Sequence, residues 1–197
     1  MHIMASHVNN LTDARYFASW GTDYIGFCRD FQHIDYCNDD RIKEMTQWLE
    51  GPDYLLEFST TKDEETILSM QQVTGISNVR VASSLTDLLA EDSDFLNNNC
   101  WASEILFSSA GKKYPAITLP VEISLITQKT WDILNKFSAQ QPFFLEINWK
   151  NADDIYTLTE KLWPFGLIFQ GSDEEKTGMK SYDILDNLFD AIQNLNE

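Results

Sequence analysis

Two hydrophobic rhythms alternate along the chain. Short runs rich in β-branched and aromatic residues predict strands at His2–Ser6, Tyr24–Cys28, Tyr54–Ser59, Val79–Ser83, Glu104–Ser108, Val121–Leu125, Phe143–Trp149 and Gly166–Gly171. Between them, apolar positions recur at helical spacing. One helix is expected near Asn10, with Ala14, Phe17 and Ala18 on one face and Gly21 as its stop. A second starts at Asn38, turns Ile42, Met45, Trp48 and Leu49 inward, and ends at Gly51. Thr61 with Glu64 reads as a capping box for a helix using Ile67, Leu68 and Val73. Ser84 with Asp87 opens another, and further helices carry Trp131, Leu134 and Phe137, then Ile155, Leu158 and Leu162. The last begins after Ser181 and buries Ile184, Leu185, Leu188, Ile192 and Leu195. The segment after Glu104–Ser108 contains Gly111 and Pro115 and is too short for a full helix.

Strict alternation of strand and helix implies a parallel sheet with right-handed crossovers. Eight strands in that pattern predict an α/β fold of the (β/α)8 TIM-barrel type. A chain of 197 residues is near the lower limit for such a barrel, so residues 1–197 are expected to form a single domain. An open doubly wound sheet is the alternative, and it usually needs fewer units.

Composition narrows the function classes. The net charge is −17, and 43% of residues are hydrophobic, which separates the chain from acidic disordered tails. The acidic balance argues against nucleic acid and against an anionic membrane surface as partners. No apolar run is long enough to cross a bilayer, and the opening residues show no secretory leader. Cys28, Cys37 and Cys100 are an odd set without metal-type pairing, which suggests a reducing, cytoplasmic setting. No Gly-rich phosphate loop is present, and no cofactor or metal is expected. His33, Asp35 and Cys37 alternate and would meet a metal if extended, but they lie in a loop-like stretch without two further evident ligands.

Three strands share a pattern: Leu56-Glu57-Phe58-Ser59, Val121-Glu122-Ile123-Ser124 and Leu145-Glu146-Ile147-Asn148. Side chains alternate along a strand, so the apolar faces should meet helices and the Glu faces should enter the lumen. With Ser6 and Arg80 also inward, the expected constellation is Ser6, Glu57, Arg80, Glu122 and Glu146, with Asn148 near the rim. Arg80 either neutralises Glu57 on the neighbouring strand, or the acids form a site for a cation, metal or amine. Trp131, Trp149 and Trp163 are expected to pack between helices and barrel.

Val8-Asn9-Asn10-Leu11-Thr12-Asp13-Ala14 is followed by Gly21-Thr22-Asp23-Tyr24-Ile25-Gly26-Phe27, and Gly166-Leu167-Ile168 and Gly178-Met179-Lys180 stand near the other end. This arrangement resembles the phosphoribosylanthranilate isomerase family of tryptophan biosynthesis. Its motifs run Lys-(Ile/Val)-Cys-Gly-(Ile/Leu)-Thr, Asp-Ala and Gly-Ala-Asp-x-x-Gly-Phe, then Gly-Val-Asp and Gly-x-Lys-Asp. The resemblance implies a single (β/α)8 barrel and an Amadori rearrangement with a cysteine base and an aspartate acid. The cysteine position holds Ser6, followed by His7, and the aspartate position falls on Glu122. Those two are the candidate catalytic residues. Glu57, Arg80, Glu146 and Asn148 are candidate ligand contacts, together with Gly171 and Ser172 where the family has its phosphate turn.

Other positions depart in charge. Asp35 stands where the family has arginine, and Asp173, Glu174 and Glu175 follow the phosphate turn. A serine hydroxyl is a far weaker base than a thiolate. His7, its strand neighbour, should point to the opposite face. The expected function is therefore an isomerase-like barrel, diverged toward another substrate or without catalysis; if active, it would be an intramolecular isomerase. The alternative from another class is a non-catalytic barrel acting as a binding, regulatory or scaffold protein. A small-molecule ligand is the expected partner, with the chain a monomer or homodimer.

Overall fold

In a computed structural model, residues 1–59, 62–83, 101–107, 112–171, 174–176 and 179–196 are described. The strands are β1 (His2–Ser6), β2 (Tyr24–Cys28), β3 (Asp53–Phe58), β4 (Asn78–Ser83), β5 (Trp101–Phe107), β6 (Lys112–Thr118), β7 (Phe144–Glu146) and β8 (Gly166–Gln170). They close into one barrel in sequence order, with β8 hydrogen-bonded back to β1. All neighbouring pairs are parallel except those of β5, which runs antiparallel to both β4 and β6. The eight-stranded α/β barrel is thus present with one strand reversed.

Alternation along the strands divides the interior from the helix-facing layer. Met4, Leu55, Ile105, Ala116, Phe144 and Ile168 form an apolar layer inside the barrel, with Tyr24, Tyr114 and Phe165 packed against it. The opposite parity, including Ala5, Leu56, Phe58, Leu145, Leu167 and Phe169, meets the helices in the larger core. Burying such side chains stabilises by about 1.5–3 kcal/mol each.

The helices are α1 (Leu11–Ser19), α2 (Asp39–Trp48), α3 (Glu64–Thr74), α4 (Gln128–Ser138), α5 (Ala152–Lys161) and α6 (Asp183–Asn196). Their starts follow capping chemistry. The side chains of Asn10, Asn38, Asp63, Thr127 and Asn151 each accept a first-turn backbone N–H, satisfying a donor that the helix itself leaves open. At Asn151 the box is reciprocal, because the Asp154 side chain reaches back to the cap backbone. The Gly21 and Gly75 turns after α1 and α3 have φ of 72° and 75°, a left-handed geometry that glycine adopts without strain.

Several expectations are corrected. The strand predicted at Val121–Leu125 lies earlier, at β6, and Ile123–Leu125 is a single 3-10 turn. Pro115 made the earlier segment read as a connection, because proline removes a ladder donor, yet it pairs opposite Glu104. The chain leaves the ladder after Leu119, and the Val121 N–H turns back to the Leu119 carbonyl at 2.7 Å. The cap of α3 is Asp63 rather than Thr61, which lies outside the described residues, as does the helix expected from Ser84. Leu68, Val73, Trp48, Trp163 and Ile184 were expected inside but are exposed. The α6 face is instead completed by Phe189 and Ala191. A two-stranded ribbon, β9 (Glu174–Lys176) and β10 (Met179–Lys180), follows β8 where no strand was expected.

Candidate functional site

The layer above the apolar lumen is polar, and Arg80 is its centre. Register places Arg80 beside Glu57 on adjoining strands. Among the described residues, all three guanidinium nitrogens donate hydrogen bonds. Nε donates to Ser103 Oγ at 2.8 Å, and Nη1 donates to Ser6 Oγ and Glu57 Oε1, both at 3.1 Å. Nη2 donates to Thr118 Oγ1 at 3.2 Å and to Glu146 Oε2 at 2.9 Å. The carboxylates are equally well used. Glu57 Oε1 also accepts from Ser6 Oγ at 2.8 Å, and its Oε2 accepts the His7 backbone N–H at 2.7 Å. Glu146 Oε2 accepts from Thr118 at 2.8 Å, and Oε1 from Gln170 Nε2 at 2.7 Å.

Ser6, Glu57, Arg80, Ser103, Thr118 and Glu146 are all buried. Two carboxyl groups and one guanidinium are buried together, and serine, threonine, glutamine and backbone donors supply further hydrogen bonds to the carboxyl oxygens. Burial raises the Glu146 carboxyl, but the Arg80 charge and the bonds from Arg80, Gln170 and Thr118 outweigh it and hold it below its ordinary value. Burial likewise disfavours the Arg80 cation, and Glu146 and Glu57 more than restore it. Gly26 makes room for this layer. A Cβ there would lie 2.3 Å from Glu57 Cδ.

The expected constellation therefore comes together without Glu122. That residue caps the 3-10 turn, half exposed, with Lys150 Nζ 3.5 Å from its carboxylate. It was expected to face inward because it shares the Glu-x-polar pattern of the true strands. The preceding Pro120 ends the ladder before that pattern can act. Asn148 is exposed beyond β7, and its backbone N–H bonds to Val121. Gly171 lies at the end of β8 against α1, where a Cβ would come 2.7 Å from Asp13 Oδ2. Ser172 lies outside the described residues. Sequence reasoning missed Ser103, Thr118 and Gln170. Thr118 ends β6 at the inward parity, a signal hidden by placing that strand at Val121–Leu125, whereas Gln170 lay within the expected last strand at the inward parity.

The loop after β2 is firmly tied. Arg29 reaches the Cys37 carbonyl and lies 2.5 Å from Asp39 Oδ1. Asp30 takes both the backbone N–H and hydroxyl of Ser59 and pairs with Lys62 at 3.0 Å. Cys28 and Cys37 are fully buried, and burial pushes both thiols up to about 11, so they are protonated at neutral pH. Cys37 thus sits inside, away from any shared site with His33 and Asp35. Those two instead meet His7, which leaves β1 with φ 56°. Among the described residues, no helix is long and apolar enough to cross a membrane.

A closed βα barrel with a polar, internally satisfied layer at the carboxyl ends of its strands defines the class of this protein. No protein-family model matches the chain, and no curated protein matches it either. Solved structures do. TrpF from Jonesia denitrificans is 17% identical, covers 100% of this chain and 98% of its own, with a TM-score of 0.67. Phosphoribosyl anthranilate isomerase from Thermus thermophilus is 13% identical over 99% of this chain and 100% of its own, TM-score 0.67. A phosphoribosyl anthranilate isomerase in complex with reduced 1-(o-carboxyphenylamino)-1-deoxyribulose 5-phosphate is 13% identical over 98% and 99%, TM-score 0.68. At such identities the likeness is one of fold.

Proposed function

We propose that this chain is a diverged barrel of the phosphoribosylanthranilate isomerase type that no longer performs the isomerisation and serves as a binding or scaffold protein. The observation that carries this reading is the state of Ser6. Its proton is directed to Glu57, and its oxygen receives Arg80. A group held on both sides in a buried ion network is not free to accept a proton from a substrate. The residue aligned with the family's acid, Glu122, pairs with Lys150 outside the lumen. Electrostatics support the same reading. The ligand named for one solved neighbour carries a phosphate and a carboxyl group. Here Asp35 stands where that family has arginine, and Asp173, Glu174 and Glu175 follow the position of its phosphate turn.

The test is direct. The purified chain is incubated with phosphoribosylanthranilate, and the same gene is placed in a strain lacking the isomerase. No turnover and no growth without tryptophan are expected. Turnover abolished by Ser6→Ala would overturn the proposal and restore an enzymatic role.

A further inference from the structure

Three side chains at the mouth of the barrel converge outside the Arg80 network. His7 follows β1, and His33 and Asp35 lie in the loop between β2 and α2. One ligand atom from each falls within 4.8 Å of the others. The His7 and His33 rings are 4.7 Å apart between centroids. His33 Nδ1 lies 3.6 Å from Asp35 Oδ2, close to the separation of about 3.4 Å between two ligands on a tetrahedral zinc ion.

The geometry points to a divalent transition-metal site formed by His7, His33 and Asp35, with Zn2+ as the fitting ion. Two imidazoles and one carboxylate suit zinc and its neighbours in the first transition row, whereas magnesium and calcium prefer oxygen ligands throughout. Each donor is held from behind. The His7 backbone N–H is fixed on Glu57 Oε2 at 2.7 Å, and the residue keeps a left-handed backbone uncommon outside glycine. Asn9 Nδ2 donates to Asp35 Oδ1 at 2.9 Å, which leaves Oδ2 facing His33. Outer hydrogen bonds of this kind orient metal ligands. The His33 Nδ1 lone pair accepts the Asp35 backbone N–H at 3.1 Å, so a cation there displaces one long hydrogen bond. All three side chains are half-buried, which leaves room for them to close around an ion. A net charge of −17 raises the local concentration of cations. Three protein ligands leave a coordination position open toward solvent at the barrel mouth.

This inference goes beyond the proposed loss of isomerisation and stands whatever the outcome of that test. The intact, chelator-treated chain is titrated with Zn2+ by calorimetry, and Co2+ is substituted for its visible spectrum. One equivalent of Zn2+ is expected to bind, with no thiolate charge-transfer band from Co2+. His33→Ala, Asp35→Asn and His7→Ala should each weaken Zn2+ binding by about tenfold or more. His2→Ala, on the far end of β1 against Asp23, should leave it unchanged. The His33 and Asp35 variants lie in a loop, so they report on the site even if the His7 variant misfolds. Absence of Zn2+ binding, a thiolate band, or undiminished affinity in His33→Ala and Asp35→Asn would overturn the assignment.

Discussion

Arg80 shows how one residue can organise the interior of a barrel. Its guanidinium replaces what would otherwise be a void or an apolar plug, and its charge holds the Glu146 carboxyl below its ordinary value. Removing it leaves two buried carboxylates unpaired, so Arg80→Ala should destabilise by about 3–5 kcal/mol. The same pairing gives a pH dependence. Because Glu146 titrates below its ordinary value, its contribution is fully present above the unfolded value of about 4.3 and is lost as pH falls through the lower folded value. Urea unfolding of the wild type and Glu146→Gln should therefore differ most near neutrality, and the gap should narrow below pH of about 4.3. A gap that is constant with pH would refute the role assigned to the Glu146 charge. The residue types in this network were readable from sequence, since Glu57, Arg80 and Glu146 sit at one parity of clear strands. The role of Ser103 was not, because the strand expected at Glu104–Ser108 begins after it, whereas β5 includes it at the parity that reaches Arg80.

At the scale of elements, β2 and β3 are fitted to one another through a missing side chain. Gly26 is inside, opposite the Glu57 carboxyl group, and a methyl group there would overlap it. Gly26→Ala should cost about 1–3 kcal/mol by overpacking. The cost should shrink when Glu57 is also replaced by Ala, a coupling that a double-mutant cycle in denaturant reads directly. Additive costs would show that the two side chains do not share the space. The helix caps were legible because Asn10 and Asn38 precede apolar periodicity. The reversal of β5 was not legible, since apolar alternation has no direction. A strand and its reverse present the same faces to core and solvent.

At the scale of the molecule, the charge of −17 divides into two populations. Buried acids such as Glu57, Glu146 and Asp13 have specific donors, and their partners screen them from salt. The exposed excess repels itself across the surface. Sodium chloride at a few tenths molar, where the Debye length is only about 5 Å, should therefore raise Tm in neutral buffer. A fall in Tm would show that exposed pairs such as Lys150 with Glu122 outweigh that repulsion. The sequence by itself determined the barrel class, the caps at Asn10 and Asn38, and Glu57 and Glu146 as inward acids, because period, parity and capping are local properties. Only the tertiary structure decided that Glu122 lies outside, that Arg80 closes the lumen, and that His7 meets His33 and Asp35. Those outcomes depend on where strands end, which way they run and which loops share the barrel mouth. Such relations are set by closure of the whole sheet, and no window of sequence contains them.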